Sequence, residues 1–218
     1  MRSRVSAAPA AIQGLQLDQL RCIRAGRMLF DQLSLHVTPG HVLRVLGVNG
    51  AGKTSLLRMV SGLLSPHQGR VCWNGQDVTR LREEFGRQLI FLGHAAALKN
   101  EMSALENLLV AVTIGGWQAT SEAALQALAA AGLAGRERVP VRTLSQGQRK
   151  RAALARLALG AGAPLWVLDE PFNALDSVAT AWLMGLVAEH VGRGGIVVLT
   201  SHQSVPFAGK VPQVTLTL

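Results

Sequence analysis

Near its start the chain alternates apolar and polar positions. Leu15 to Ile23 and Leu33 to Val37 both carry this period, with Gly26 between them, and predict half-buried strands. Pro39-Gly40 predicts a turn. Val42-Leu43-Arg44-Val45-Leu46 predicts a strand, and Ser55-Leu56-Leu57-Arg58-Met59-Val60 the opening of a helix. Val71-Cys72-Trp73 followed by Asn74-Gly75 predicts a hairpin, and Gln88 to Leu92 a strand that ends at Gly93-His94. From about Ala95 to Thr143 the texture turns helical. Ser103-x-x-Glu106 is a capping box ahead of Leu105, Leu108, Leu109 and Val112. Ser121 to Ala131 is alanine-rich and stops at Gly132. Pro164 to Leu168 and Gly195 to Thr200 run without polar interruption, as expected of strands buried on both faces of a parallel sheet. Val214 to Leu218 predicts an edge strand. Two strand-bearing halves therefore flank a helical block. The expectation is one α/β domain, 1–218, with a helical lobe inserted at about 95–143.

Composition narrows the class. The chain has 218 residues and is 49% hydrophobic, enough for a solid core. No apolar run approaches the roughly 20 residues that a membrane span needs. Leu108 to Val112 is short, and Ala152 to Leu159 is broken by Arg156. Arg2 and Arg4 precede no apolar segment, so a signal peptide is not expected and the chain is placed in the cytoplasm. Cys22 and Cys72 are expected to be reduced core residues. No C-x-x-C-H is present to attach haem covalently. The net charge is +9, but the arginines are scattered apart from Arg149-Lys150-Arg151, and tyrosine is missing. Without aromatic interleaving or a basic tail, a nucleic-acid partner is not expected.

The chemistry centres on Gly47-Val48-Asn49-Gly50-Ala51-Gly52-Lys53-Thr54, a G-x-x-x-x-G-K-[ST] pattern between a predicted strand and a predicted helix. Its glycines let backbone N–H groups curl into an anion nest, and the helix opening at Ser55 adds the positive end of its dipole. Lys53 is placed to reach the β- and γ-phosphates of ATP, and Thr54 to hold Mg²⁺. Asp169-Glu170 follows the apolar run 164–168, at the carboxyl end where a parallel strand delivers side chains to a nucleotide. Asp169 is expected to bind Mg²⁺, and Glu170 to polarise the attacking water. His202 ends the neighbouring apolar run, beside the expected γ-phosphate. Leu144-Ser145-Gln146-Gly147-Gln148 opens another helix, so hydroxyl, backbone N–H and dipole all favour a phosphate there too. One ATP already has its phosphate loop. The economical expectation is that this second helix caps an ATP held by another copy of the chain.

With these pieces assembled, the sequence resembles the ATP-binding-cassette (ABC) family over nearly its whole length. The phosphate loop matches the Walker A motif. Leu144 to Gln148 matches the signature, with Gln146 where glycine is commonest, and Leu165 to Asp169 matches Walker B with Glu170 as the catalytic glutamate. Ala174-Leu175-Asp176 matches the D-loop and His202 the switch histidine. The resemblance implies a P-loop NTPase fold with an N-terminal antiparallel β subdomain and an inserted α-helical subdomain. It further implies Mg-ATP hydrolysis in a head-to-tail dimer under integral-membrane subunits, at the cytoplasmic face of the bacterial inner membrane. Two positions depart from the family. His94 stands where a coupling glutamine is usual, and Arg24 where an aromatic usually stacks on adenine. Leu92-Gly93-His94, Asp169 to Asp176 and Leu199 to Ser204 resemble one branch, the haem-exporter ATPase of bacterial cytochrome c maturation. That branch implies haem-handling partners, and either haem export or ATP-driven release of a haem-loaded chaperone. The competing expectation is an ABC ATPase of another class, such as a metal-cluster assembly scaffold, or one serving a different cargo.

Overall fold

The computed structural model describes residues 13–160, 162–201 and 211–218. Strands β1 (Leu15–Arg24), β2 (Arg27–Val37) and β3 (Val42–Leu46) lead into helix α1 (Lys53–Val60). β4 (Gln68–Trp73), β5 (Gln76–Asp77), α2 (Val78–Arg87) and β6 (Leu89–Leu92) follow. The helical lobe holds α3 (Ala104–Ile114), α4 (Ser121–Leu128), a π-turn at Ala129–Leu133 and a 3₁₀ turn at Val141–Thr143. Then come α5 (Gln146–Leu154), α6 (Arg156–Leu159), β7 (Leu165–Leu168), α7 (Ser177–Gly192), β8 (Ile196–Thr200) and β9 (Gln213–Thr217).

The strands form two sheets. A four-stranded antiparallel sheet has the order β2-β1-β4-β5, and a five-stranded parallel sheet the order β6-β7-β8-β3-β9. In the parallel sheet the strand period of two sorts side chains to opposite faces. Leu43, Val45, Leu165, Val167 and Val198 point into one core, shared with α1 and the antiparallel sheet. Val42, Trp166, Leu168, Val197 and Leu199 point into the other, against α7. β7 and β8 are buried at every position, which is why they read as unbroken apolar runs. Leu43, Leu56 and Leu57 have no exposed surface, and truncating any of them to alanine costs about 2–5 kcal/mol. The phosphate loop is thus anchored on both flanks by core side chains.

The predicted hairpin at Asn74-Gly75 and the β1–β2 turn both close with positive φ at two successive residues. These are Ala25 (47°) with Gly26 (75°) and Asn74 (50°) with Gly75 (78°), as a tight turn matched to strand twist requires. β2 starts six residues earlier than the alternation indicates. Its first half is held by pairing with β1, Ile23 with Met28 and Arg24 with Arg27, rather than by burial. The predicted strand at 88–92 is β6, and a helix with no apolar signal, α2, precedes it. Cys22 and Cys72 are free and buried, and burial pushes both thiols up, away from the reactive thiolate.

The lobe has its own core, with Leu105, Leu108 and Val112 of α3 against Leu128 and Leu133. Leu144, Ala152 and Ala155 belong to the same core, so α5 is built into the lobe beyond residue 143. The capping box at α3 forms as the sequence predicts. Ser103 N and Oγ donate to Glu106 Oε2, and Glu106 N donates to Ser103 Oγ. Those bonds hold the Glu106 carboxyl below its usual range.

Candidate nucleotide site

The loop between β3 and α1 is shaped by its glycines. Gly47 has φ 145° and Gly52 φ 106°, a region that side chains rarely adopt. A Cβ at Gly52 would also stand 3.1 Å from Leu29 Cβ, because β2 packs under the loop. α1 begins immediately after Gly52, with no acidic residue in its first turn. Its N-terminal N–H groups and dipole therefore keep their positive field. Lys53 is 8% exposed, and its ammonium donates to Gly47 O at 2.7 Å and Val48 O at 3.1 Å. An ammonium has three donors, so one remains for a phosphate oxygen.

The acidic pair arrives from the other side of the sheet. β7 lies between β6 and β8, and Asp169 and Glu170 emerge at its carboxyl end with 2% and 7% exposure. Thr54 Oγ1 donates to Asp169 Oδ2 at 2.9 Å, joining residues 115 positions apart. Thr200, fully buried at the end of β8, donates its hydroxyl to Asp169 Oδ1 at 2.7 Å and accepts from Glu170 N at 2.8 Å. Glu170 sits at φ 50°, a left-handed conformation costly for a residue with a Cβ. The Thr200 bond holds it there. Thr200 is a site residue that the motifs do not name, and its one sequence signal is a hydroxyl closing an apolar strand.

A cleft of about 670 Å³ joins these groups, lined by Arg24, Leu29, the loop from Asn49 to Ser55, His94, Asp169, Glu170 and Asn173. Arg24 thus reaches the cleft from the β1–β2 turn, at the place where the aromatic is expected. His94 also lines two neighbouring cavities of about 350 and 380 Å³ that run beneath the lobe. The expected hinge therefore touches both the nucleotide cleft and the lobe. His202 lies outside the described residues.

No signature residue lines this cleft, though Gln146 lines the neighbouring cavity of about 350 Å³ with His94 and Glu170. Ser145 caps α5, accepting from Gln148 N at 3.2 Å while Gln148 Oε1 accepts from Ser145 N at 2.9 Å. Ser145 and Gln146 are exposed, and the Ser145 hydroxyl proton is left to donate outward. A Cβ at Gly147 would stand 2.7 Å from Ala174 O, so glycine is required where α5 approaches the D-loop. Asp176 caps α7, accepting from Ala179 N at 2.8 Å, and lies 3.6 Å from Arg151. The basic run 149–151 is not a free patch. Arg149 donates to the carbonyls of Val141, Arg142 and Leu144, and Lys150 to Asp169 O at 3.5 Å.

Thr54 and Asp169 offer two hard oxygens side by side. Among the described residues no cluster of three or more His, Cys, Asp or Glu is gathered for a metal. Two protein oxygens beside a phosphate nest suit Mg²⁺, which keeps waters and takes phosphate oxygens. Among the described residues no helix is long and apolar enough to cross a membrane.

Comparison with known proteins agrees with this geometry. The sequence profile of the ABC transporter family matches residues 30–173. The cytochrome c biogenesis ATP-binding export protein CcmA of Aromatoleum aromaticum is 49% identical over 204 residues, covering 94% of both chains. The protein of that name from Pseudomonas aeruginosa is 46% identical, over 88% of this chain and 94% of its own. Among solved structures, a putative ABC transporter ATP-binding protein from Pyrococcus furiosus superposes with a TM-score of 0.78 at 23% identity, covering 93% and 96% of the two chains. The dimeric, post-hydrolysis ATP-binding cassette MJ0796 bound to ADP and Pi gives 0.77 at 24%, covering 93% and 94%. Profile, relatives and fold agree, and the chain is an ATPase subunit of the ABC transporter family, in the branch of the cytochrome c biogenesis ATP-binding export proteins.

Proposed function

We propose that the chain, acting as a single nucleotide-binding unit over 1–218, binds Mg-ATP in the cleft between the phosphate loop and the acidic end of β7. The observation that carries this reading is the 2.9 Å bond from Thr54 to Asp169, which joins the two halves of the site. The loop N–H groups and Lys53 hold the phosphates. Thr54 and Asp169 are assigned to Mg²⁺, which neutralises charge on the phosphate oxygens when bound. Glu170 is placed as the base for the attacking water, fixed through its backbone by Thr200. His202 is assigned the γ-phosphate contact on its sequence position alone. Arg24 offers a guanidinium plane to the adenine.

The active unit is a head-to-tail pair of chains, each supplying Ser145, Gln146, Gly147 and Gln148 to the ATP of the other. Support comes from the signature's position outside its own chain's cleft and from the dimer seen for a cassette of the same fold. The pair works as a peripheral assembly at the cytoplasmic face of the inner membrane, on integral-membrane subunits contacted through the lobe and His94. Its role is in c-type cytochrome biogenesis, by haem export or by release of a haem-loaded chaperone, as the names of its relatives indicate. A Lys53→Ala strain tests this by fractionation and a haem stain of periplasmic cytochromes. The variant is expected to stay membrane-attached while c-type cytochromes fail to mature. Normal cytochrome c levels would remove the haem role.

A further inference from the structure

Three consecutive basic residues on α5 leave the helix in three directions. Arg149 binds carbonyls of the lobe, and Arg151 faces Asp176. The middle one turns to the catalytic end of the chain's own sheet. Lys150 Nζ reaches Asp169 O, and Lys150 lines a cavity of about 350 Å³ with Glu170, His94 and Asn173. Its flexible stem crosses from the lobe to β7 in a partly buried space. Burial lowers the lysine from its ordinary value, while the charges of Asp169 and Glu170 oppose that shift, so both carboxylates act on it.

We propose that Lys150 is a positioning residue for Glu170, tying the acidic end of β7 to the helix that carries the signature. Glu170 holds a strained backbone, and Thr200 accepts from its N–H. A cation on the far side of the residue 169 peptide restrains that peptide's carbonyl as well. The effect is electrostatic and directional, since a lysine is a point charge on a mobile stem. It differs from the neighbouring arginines, which hold the helix rather than the site. In the dimer proposed above, α5 serves the partner's ATP at its N-terminus. Lys150 gives that same helix a contact with its own chain's base, so the inference rests on the ATPase reading.

The test is Mg-ATP hydrolysis by the full chain carrying Lys150→Gln or Lys150→Arg, with thermal melting alongside and Lys53→Ala in parallel. Lys150→Gln is expected to lower kcat about tenfold with KM within about twofold and the melting temperature unchanged. Lys150→Arg, which keeps the charge, is expected to recover most of the rate. Wild-type kcat in Lys150→Gln, with Lys53→Ala inactive, would overturn the proposal and leave the ATPase reading standing. A rate loss that follows a fall in melting temperature and is not rescued by arginine would overturn it as well. Hydrolysis retained by Lys53→Ala would instead remove the ATPase reading itself.

Discussion

The carboxyl ends of β7 and β8 and the N-terminus of α5 both present groups suited to phosphate chemistry, yet they are built in opposite ways. At the strand ends, Asp169, Glu170 and Thr200 are buried and bonded to one another and to Thr54. At α5, Ser145 and Gln146 are exposed, and the capping box bonds only within its own turn. Buried polar groups need partners inside the chain, because leaving them unpaired costs about 1–3 kcal/mol each. Exposed donors do not. The first arrangement satisfies its polar groups within one chain, and the second leaves donors exposed, as the proposed pairing of two chains needs.

The largest effect should come from breaking the buried arrangement. Glu170→Gln keeps the shape and removes the base, so turnover should fall more than about 100-fold while ATP binding stays near wild type. Hydrolysis within about tenfold of wild type would take the role of base away from Glu170. Ser145→Arg should be nearly as damaging to hydrolysis and equally harmless to binding. It fills the exposed face and leaves the chain's own cleft untouched. A loss of nucleotide binding in that variant, measured by titration, would place the signature in its own chain's site.

Burial behind the strand ends predicts a pH signature that α5 lacks. His190 of α7 stacks on Trp166 of β7, ring centroids 3.9 Å apart, and Gly195 leaves no room for a Cβ beside it. Burial lowers its pKa to about 4, aided by the charge of Arg193 and opposed by the Pro164 and Ile196 backbone. The folded state therefore prefers the neutral ring. Its contribution is complete above the unfolded value of about 6.5 and is lost as pH falls toward 4, about 3 kcal/mol in all. Urea unfolding between pH 7.5 and 4 checks this, and His190→Phe should flatten that part of the curve.

Thr200→Val should cost less. It removes the bonds to Asp169 and Glu170 at constant volume, and we expect about 1–3 kcal/mol of stability and a lowered kcat. Equal kcat in both proteins would separate Thr200 from catalysis. The smallest effect belongs to the rim of the cleft. Arg24→Ala should weaken the preference for ATP over GTP only a few-fold, because the side chain is exposed and screened. Competition binding with both nucleotides measures it.

The same contrast explains what could be read in advance. The phosphate loop, both buried strands and the capping box at Ser103 were legible, because each is a local pattern with one physical cause. α2 was not, because its ten residues bury only Val78 and Phe85 among exposed charges. α7 leaves no amphipathic stripe either, though its buried side carries Leu183, Val187 and His190. Thr200 and Lys150 were missed as site residues for another reason. Each acts on residues about β7 from a different element, 31 and 19 positions from Asp169, and no spacing rule spans that gap. The exposed signature was legible as chemistry, but the site proposed for it lies on a second chain, which a single sequence does not display.

The most direct test of that division is complementation between two inactive variants. Lys53→Ala and Ser145→Arg chains are purified separately, mixed, and assayed for ATP hydrolysis. In a mixed pair, one composite site carries both lesions and the other carries none. The account predicts that the mixture regains hydrolysis that neither variant has alone, and that a chain carrying both lesions, mixed with wild type, contributes no intact site. A mixture as inactive as its parts would contradict it.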